Sequence, residues 1–264
     1  MTRWKASALH FCISLTVLAA VVAGVVYCWY PPALFGMARA GQLMTIIFGV
    51  DVVLGPLLTL LIYRAGKRGL AFDLTAIALF QAIAMAYGLH VLWQSRPVYI
   101  VAISDRFQMV FANEIDRDSQ RAAKPQYREA PYWGPEWVSA PLPKDPKQRL
   151  DAMLDGFAGK DIFSQPSKFE PYPTRDPEFL GHVIDRKTAD RAASAETRTD
   201  WSAAYNRYTA NGIPPAMMAL QSSRGSASVF IDPRDGRILG FAPLDPWALI
   251  DAAAHLQAPS NHKP

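Results

Sequence analysis

Three polar side chains lie inside long apolar runs of this sequence, and they are the first candidates for chemistry. Asp51 lies in a run over residues 43–63 that carries no other charge, whereas Asp73 and Gln81 lie in a second run over residues 70–93. Burying an ionisable group in apolar surroundings costs free energy, so such a residue needs a polar partner or a functional reason. Carboxylates in this setting could transfer protons, bind a cation or contact a partner, or they could simply hydrogen-bond neighbouring helices.

Other arrangements that carry chemistry are absent from the sequence. The five histidines lack metal-ligand spacing, and neither a G-x-S-x-G motif nor a glycine-rich phosphate loop is present. Asp116 with Asp118, and Asp232 with Asp235, are spaced as carboxylate pairs, but they lie in turn-like segments where aspartate commonly bonds the local backbone. We therefore expect no enzyme, cofactor or metal site, with an enzyme built on the two carboxylates of the apolar runs as an alternative.

The net charge of +4 belongs to the first part of the chain. Six of the 27 basic residues and two of the 23 acidic residues precede residue 95, so the remainder carries 21 of each. A neutral domain has no net field to attract phosphate, and the excess positive charge flanks apolar runs. Nucleic acid is therefore not an expected partner, whereas a lipid bilayer is.

Three apolar runs, at about residues 8–30, 43–63 and 70–93, are long enough to cross a bilayer. About 20 helical residues at 1.5 Å each match a hydrocarbon core of roughly 30 Å. The positive-inside rule places the flanking basic residues in the cytoplasm. The sequence thus predicts a bacterial inner-membrane protein with three N-terminal transmembrane α-helices over residues 1–94 and a periplasmic domain over residues 95–264.

The heights of the polar residues in these predicted helices indicate which of them can meet. Asp51 would lie on the order of 10 Å below the outer end of its helix and Gln81 roughly 15 Å above the inner end, so the two could pair. Asp73 would lie beside the basic turn at residues 64–68, where a cation could neutralise it. Pro56 has no backbone N–H and therefore predicts a kink in the second helix.

The second domain has the patterns of an α+β domain with an antiparallel sheet. A hairpin is predicted from strands at Arg96–Ile103 and Phe107–Phe111, and residues 112–177 are Pro-rich and irregular apart from one helix at Pro146–Phe157. The other predicted elements are a strand at Phe179–Ile184, a helical stretch at Arg186–Tyr208, a meander of strands at Ala216–Leu220, Ala227–Ile231 and Arg237–Ala242, and a final helix from Pro246.

A series of short motifs lies along the first 111 residues, and two more lie near the end of the sequence. They are Arg3-Trp4-Lys5-Ala6-Ser7, Trp29-Tyr30-Pro31, the run from Gly49 to Leu60, Phe72-Asp73-Leu74 with Gln81 and Tyr87-Gly88, Arg96-Pro97-Val98-Tyr99, Asp105-Arg106-Phe107, Asp232-Pro233 and Leu244-Asp245-Pro246-Trp247. As a set they resemble the type IV pilin accessory proteins of the TfpX/TfpZ type. The resemblance is dense over residues 3–111, and residues 112–215 carry little of it.

The resemblance implies an inner-membrane protein, encoded with a pilin, that assists or tunes pilin assembly and surface display without entering the shaft of the fibre. Its implied partners are the type IV pilin and other pilus assembly proteins. Candidate contact or packing residues inside the membrane are Asp51, Pro56, Asp73, Gln81 and Tyr87, and a candidate juxtamembrane motif comprises Arg96, Pro97, Tyr99, Asp105, Arg106 and Phe107.

One hypothesis connects these residues to a function. The second and third predicted spans would form a groove for the apolar helix of pilin, because the third run is rich in small residues that permit close helix approach. The plain alternative is that the small residues only pack the spans together. An alternative from another class is a membrane-anchored periplasmic ligand-binding or sensor protein, whose short cytoplasmic parts would require a second protein for output.

Overall fold

A computed structural model describes residues 2–172, 177–209 and 212–257 of the chain. The chain divides into two compact units, which we call the helical unit and the sheet unit. The helical unit comprises Met1–Arg96 together with Tyr132–Gly134, and the sheet unit comprises Pro97–Pro131 and Pro135–Pro264. Residues 132–134 thus leave the sheet unit to join the helical unit.

Two long apolar helices dominate the helical unit. Helix α1 (Arg3–Cys28) begins where the Thr2 side chain accepts the Lys5 N–H, and helix α5 (Leu70–Gln94) begins after Gly69, whose φ of 85° lies in the left-handed region. These are the two described helices that are long and apolar enough to cross a membrane. Only 17% and 11% of their apolar windows are buried, so most of their apolar side chains face outward, unlike those of a soluble core helix.

The ends of the two long helices carry opposite kinds of residue. Basic residues lie within the first turn of α1 and just before α5, whereas aromatic residues collect at the end of each helix. The Trp29 and Trp93 rings lie 5.1 Å apart and the Tyr30 hydroxyl donates to the Leu92 carbonyl at 2.9 Å, so α1 and α5 run in the same direction. Tyr132 adds a third ring to this group, 5.4 Å from Trp93. Clustered Trp and Tyr side chains are typical of a membrane–water interface.

The prediction of three membrane-spanning helices is wrong. The predicted second span is divided into helix α3 (Ala40–Phe48), a π-helical segment (Gly49–Leu54) and helix α4 (Gly55–Ile62), and a short helix α2 (Pro32–Phe35) precedes it. The physical reason lies at Pro56, because a residue without an N–H cannot continue the regular i→i−4 ladder. Among residues 2–172, 177–209 and 212–257, the membrane-length helices are α1 and α5 alone.

The sheet unit is built on one seven-stranded sheet, and the prediction of an antiparallel sheet is wrong because the sheet is mixed. Its order is β4-β3-β1-β2-β5-β6-β7, with β1 parallel to β3 and β2 parallel to β5. Parallel neighbours need long crossover connections, and residues 104–135, which include β2, and residues 112–215 supply them. The strands are β1 (Pro97–Ile103), β2 (Arg106–Phe111), β3 (Glu136–Ser139), β4 (Glu170–Pro171), β5 (Ala216–Gln221), β6 (Ser226–Ile231) and β7 (Ile238–Ala242).

Two predicted elements of the sheet unit are corrected. Residues 179–184 form the end of a short helix and a single bridge from Ile184 to Met217, because a short apolar run does not by itself distinguish strand from helix. The stretch 186–208 forms two helices. Between them the Ser194 and Thr197 hydroxyls form a hydrogen bond, and the Thr197 N–H donates to the Ser194 hydroxyl. The α-helices among the described residues of this unit are α6 (Arg117–Arg121), α7 (Pro146–Phe157), α8 (Pro177–Leu180), α9 (Arg186–Ala192), α10 (Arg198–Tyr208) and α11 (Pro246–Gln257).

Two buried clusters hold the sheet unit together. One collects aromatic rings around Tyr99, whose ring meets that of Phe169 edge-on at 5.0 Å. The other packs α9, α10 and α11 against the sheet, with Tyr205 meeting Phe230 edge-on at 5.1 Å. Each large apolar side chain buried in this way contributes roughly 1.5–3 kcal/mol.

Candidate functional site

A chain of hydrogen bonds connects three helices and the π-helical segment inside the helical unit. Gln81 of α5 donates through Nε2 to the Asp51 main-chain carbonyl at 3.0 Å, and its Oε1 lies 2.8 Å from His10 Nε2 of α1. His10 Nδ1 in turn lies 2.6 Å from the Thr59 hydroxyl of α4. Because Gln81 Oε1 can only accept, His10 Nε2 carries the proton, and a neutral imidazole then accepts from Thr59 through Nδ1. The bonds therefore run in one consistent direction.

The π-helical segment explains why Gln81 bonds the main chain at Asp51. The Gly55 N–H reaches back to the Val50 carbonyl, an i→i−5 bond. In this register the next carbonyl, that of Asp51, would receive an N–H from Pro56, which has none. Gln81 supplies the missing donor. The pairing of Asp51 with Gln81 expected from their heights thus runs at least in part through the carbonyl of Asp51, and Oδ2 of the carboxylate has no hydrogen-bond partner among the described residues.

A partly open cavity of about 430 Å³ lies beside this hydrogen-bond chain. Helix α1 forms one wall and α5 the other, and the π-helical segment contributes Asp51. The α5 wall includes Ala78, Ala82 and Ala86, three small residues at helical spacing, together with larger apolar side chains. The complete lining is His10, Ile13, Ser14, Val17, Asp51, Ala78, Gln81, Ala82, Met85, Ala86 and Leu89.

The carboxylate of Asp51 is the unusual group of this cavity. Its residue is only 4% exposed, and its Oδ2 has no hydrogen-bond partner among the described residues. A buried acceptor without a donor carries the full free-energy penalty of its desolvation. The arrangement can therefore accept a hydrogen bond or a positive charge from a group that enters the cavity.

Two other predicted membrane residues lie away from the cavity. Asp73 pairs with Lys67 at 2.5 Å in the first turn of α5, and Tyr87 of the same helix is 70% exposed. Asp73 precedes Gln81 by eight residues, which is about 12 Å along a helix. The structure therefore brings together Asp51, Pro56 and Gln81 but not Asp73 or Tyr87.

The predicted juxtamembrane motif divides between the two units. Arg96 belongs to the helical unit, where its guanidinium lies 3.3 Å from the centre of the Trp93 ring and donates to the Trp93 carbonyl at 2.7 Å. Burial lowers the pKa of the Arg96 guanidinium. In the sheet unit Pro97 begins β1, opposite Phe111.

The other motif residues lie in or beside the hairpin of the sheet unit. Tyr99 and Phe107 are fully buried core residues, and burial raises the pKa of the Tyr99 phenol. Asp105 and Arg106 lie at the hairpin turn and form a loose ion pair at 3.7 Å. Arg106 also approaches the Trp247 ring at 5.6 Å. In this motif, Asp105 and Arg106 are the accessible polar pair.

Sequence reasoning missed His10 and Ser7 as members of the site, and Thr59, which it offered as the partner of the carbonyl freed by Pro56, bonds His10 instead. Ser7 donates to the Pro56 carbonyl at 2.9 Å, so side chains of α1 form hydrogen bonds with α4 at both Pro56 and Thr59. The signal available in the sequence was a polar residue every three or four positions on α1, at Ser7, His10 and Ser14. Among the described residues, no group of three or more His, Cys, Asp or Glu side chains is placed to hold a metal ion.

Three curated relatives are similar to this chain, all from Dichelobacter nodosus. "Fimbrial assembly protein, serogroup I" is 32% identical over 170 residues, which are 64% of this chain and 66% of that protein. "Fimbrial assembly protein, serogroup E1" is 29% identical over 247 residues, 93% of this chain and 96% of that protein. "Fimbrial assembly protein, serogroups C1 and C2" is 32% identical over 113 residues, 42% of this chain and 86% of that protein.

No family model and no solved structure matches the chain. The relatives nevertheless agree with one another in name. One of them matches nearly end to end, and another is covered over 86% of its length at 32% identity. These similarities confirm the family that the motifs indicate, and the chain belongs to the type IV fimbrial assembly-related family.

Proposed function

We propose that this chain acts in type IV fimbrial biogenesis as an inner-membrane accessory protein that contacts pilin. The names of its relatives support a role in fimbrial assembly. The observation that carries the proposed mode of action is the cavity between α1 and α5, which is walled by outward-facing apolar side chains. Pilin contributes an apolar helix to the membrane, and this cavity gives such a helix a place to pack.

The walls of the cavity favour a helical partner over a soluble ligand. Ile13 and Val17 of α1 are about half exposed, and both line the cavity and the outer surface of their helix. Ala78, Ala82 and Ala86 allow a second backbone to come close to α5. In a bilayer this face is reached from the lipid, so the partner is itself a membrane helix.

The charges around α5 support a periplasmic location for the sheet unit. Arg64, Lys67 and Arg68 precede α5, and Trp93 lies in its last turn. The positive-inside rule keeps the basic end in the cytoplasm, so the residues after α5 lie on the other side. Alkaline phosphatase fused to the C-terminus of the full chain should be active, and an inactive fusion that is present at normal levels would refute this orientation.

We propose that the chain acts by binding rather than by catalysis. In the helical unit Asp51 lines the cavity, whereas Asp73 lies outside the cavity lining and forms an ion pair with Lys67. A mechanism based on two carboxylates would need both groups at one site.

A deletion strain tests the role in fimbrial biogenesis. Loss of the gene should reduce surface pili while pilin is still synthesised, and the full chain supplied in trans should restore them. Normal piliation together with a changed response to a small molecule would favour the sensor instead.

Site-specific photocrosslinking tests the contact surface. A benzoylphenylalanine at Met85 lies in the cavity, and one at Ile83, which is 61% exposed and absent from the cavity lining, is the matched control on the same helix. Irradiation of intact cells should join pilin to position 85 at a yield well above that at position 83. Equal yields, or pilin at position 83 alone, would refute a pilin contact at this cavity.

A further inference from the structure

We propose that the Asp51 carboxylate recognises a cationic nitrogen, an ammonium or a guanidinium, carried by the apolar helix that enters the cavity. This inference rests on the proposed function, and it assigns the chemistry of recognition to one side chain. It makes Asp51 the residue that decides which apolar helix is accepted.

The first argument is the state of Asp51 itself. Its residue is 96% buried, its Oδ2 lacks a hydrogen-bond partner among the described residues, and it lines the cavity. A buried carboxylate is costly unless a donor or an opposite charge compensates it. A cationic group entering the cavity supplies both.

The second argument is that the neighbouring polar groups are already occupied. Gln81 uses Oε1 for His10 and one N–H of Nε2 for the Asp51 carbonyl, and its side chain also contributes a hydrogen bond to the Asp51 carboxylate. His10 uses its second nitrogen for Thr59. Asp73 is paired with Lys67 outside the cavity. Asp51 Oδ2 is thus a buried acceptor in the cavity lining that the described residues leave without a donor.

The third argument concerns the form of the partner. Apart from His10, Ser14 and Gln81 the remaining lining is apolar, so a small hydrated cation would find few of the oxygen ligands that it needs. A volume of about 430 Å³ holds a few side chains, as expected where one turn of a helix packs against α1 and α5. An apolar helix with a single cation matches both the walls and the base of the cavity.

The test compares crosslinking of pilin to benzoylphenylalanine at Met85 in chains that differ at Asp51. Asp51→Asn keeps the size of the side chain and removes its charge, so the yield should fall about tenfold or more. Asp51→Glu should retain much of the yield. Asp73→Asn removes a carboxylate outside the cavity and should leave the yield unchanged.

The outcomes separate this inference from the proposed function. No pilin at Met85 in the otherwise unchanged chain overturns both. Strong crosslinking that Asp51→Asn does not alter overturns the inference and leaves the pilin contact standing. Crosslinking that Asp51→Asn and Asp73→Asn reduce equally also overturns it, because the loss would then be a general charge effect.

A measurement on the unsubstituted chain covers the case in which Asp51→Asn fails to fold. A hydrophobic carbodiimide reacts with carboxyl groups in apolar surroundings and should label Asp51 in membranes that lack pilin. Co-expressed pilin should protect it about tenfold or more, as read by peptide mass spectrometry. Equal labelling with and without pilin, in membranes where Met85 crosslinks to pilin, would overturn the inference.

Discussion

A methyl group added at Gly55 should break the hydrogen-bond chain of the helical unit. A Cβ built at this position lies 2.6 Å from Gln81 Cδ and still closer to the amide nitrogen, so the Gln81 side chain would have to move. Moving it breaks the bonds to His10 and to the Asp51 carbonyl together. Gly55→Ala should therefore break the same two hydrogen bonds as removing the Gln81 side chain.

The expected size follows from the two bonds that are lost. Hydrogen bonds between membrane helices average about 0.6 kcal/mol and reach about 1.7 kcal/mol, so Gln81→Ala should cost about 1–3 kcal/mol. Gly55→Ala should cost about 1–2 kcal/mol, because the better helix propensity of alanine offsets up to about 1 kcal/mol. In a chain that already carries Gln81→Ala the clash is gone, so adding Gly55→Ala should be neutral or stabilising. The effects of the two substitutions are therefore expected to be strongly non-additive.

The assay is the free energy of unfolding of the full chain in mixed micelles titrated with sodium dodecyl sulfate, followed by circular dichroism. Gly49→Ala is the matched control, since it begins the π-helical segment that leads into Gly55 and nothing lies within 4 Å of its added Cβ. This control should be neutral or stabilise by up to about 1 kcal/mol. If Gly55→Ala behaves like Gly49→Ala, or if its effect adds to that of Gln81→Ala, the hydrogen-bond chain does not stabilise the unit as argued.

Two further predictions concern close packing and charge. Gly88→Ala should destabilise the helical unit in the same assay, because its Cβ would lie 2.7 Å from Ile47 Cδ1. Gly24→Ala is the control, since its added Cβ meets nothing within 4 Å. Rescue of Gly88→Ala by Ile47→Ala would support the packing argument, and a neutral Gly88→Ala would contradict it. In the sheet unit, hydrogen bonds from Arg234 lower the pKa of Asp232 to about 2, so the stability that this pair contributes is present above about pH 4 and lost as the pH falls towards 2. Since the Arg234 side chain is exposed, Asp232→Asn should cost only about 1 kcal/mol near pH 7. In urea titrations, the free energy of unfolding of this variant should depend less on pH between pH 4 and pH 2 than that of the unsubstituted chain. An unchanged pH dependence would refute the stabilising role of the Asp232–Arg234 pair.

Local patterns predicted the elements of the sheet unit that depend on neighbouring residues. The β1–β2 hairpin and the β5–β6–β7 meander lie where alternating apolar residues and turn residues indicate them, and α7 has the predicted bounds. The parallel pairings of β1 with β3 and of β2 with β5 were missed. They join segments separated by long connections, and the periodicity within each strand is the same for either direction.

The candidate site was predictable only in part for the same physical reason. Asp51 and Gln81 attract notice because they interrupt apolar runs, but His10 bonds Thr59 and Gln81 across 49 and 71 residues of sequence. Pro56 indicates that the helix is disturbed, but it does not say that the disturbance is a π-helical turn. Tyr87, which the motifs single out, lies exposed on α5 outside the cavity lining.

The feature that overturns the predicted second span is also the one that builds the candidate site. A π-helical turn holds one residue more than an α-helical turn, so it rotates the side chains before it relative to those after it by about 100°. In this chain the turn contains Asp51, and the segment after it begins with Gly55 and Pro56. Gly55 gives Gln81 room to approach, and Pro56 leaves the carbonyl that Gln81 bonds. The Gln81 side chain is thereby fixed on the backbone of Asp51, and the carboxylate is left facing the cavity where a partner can reach it.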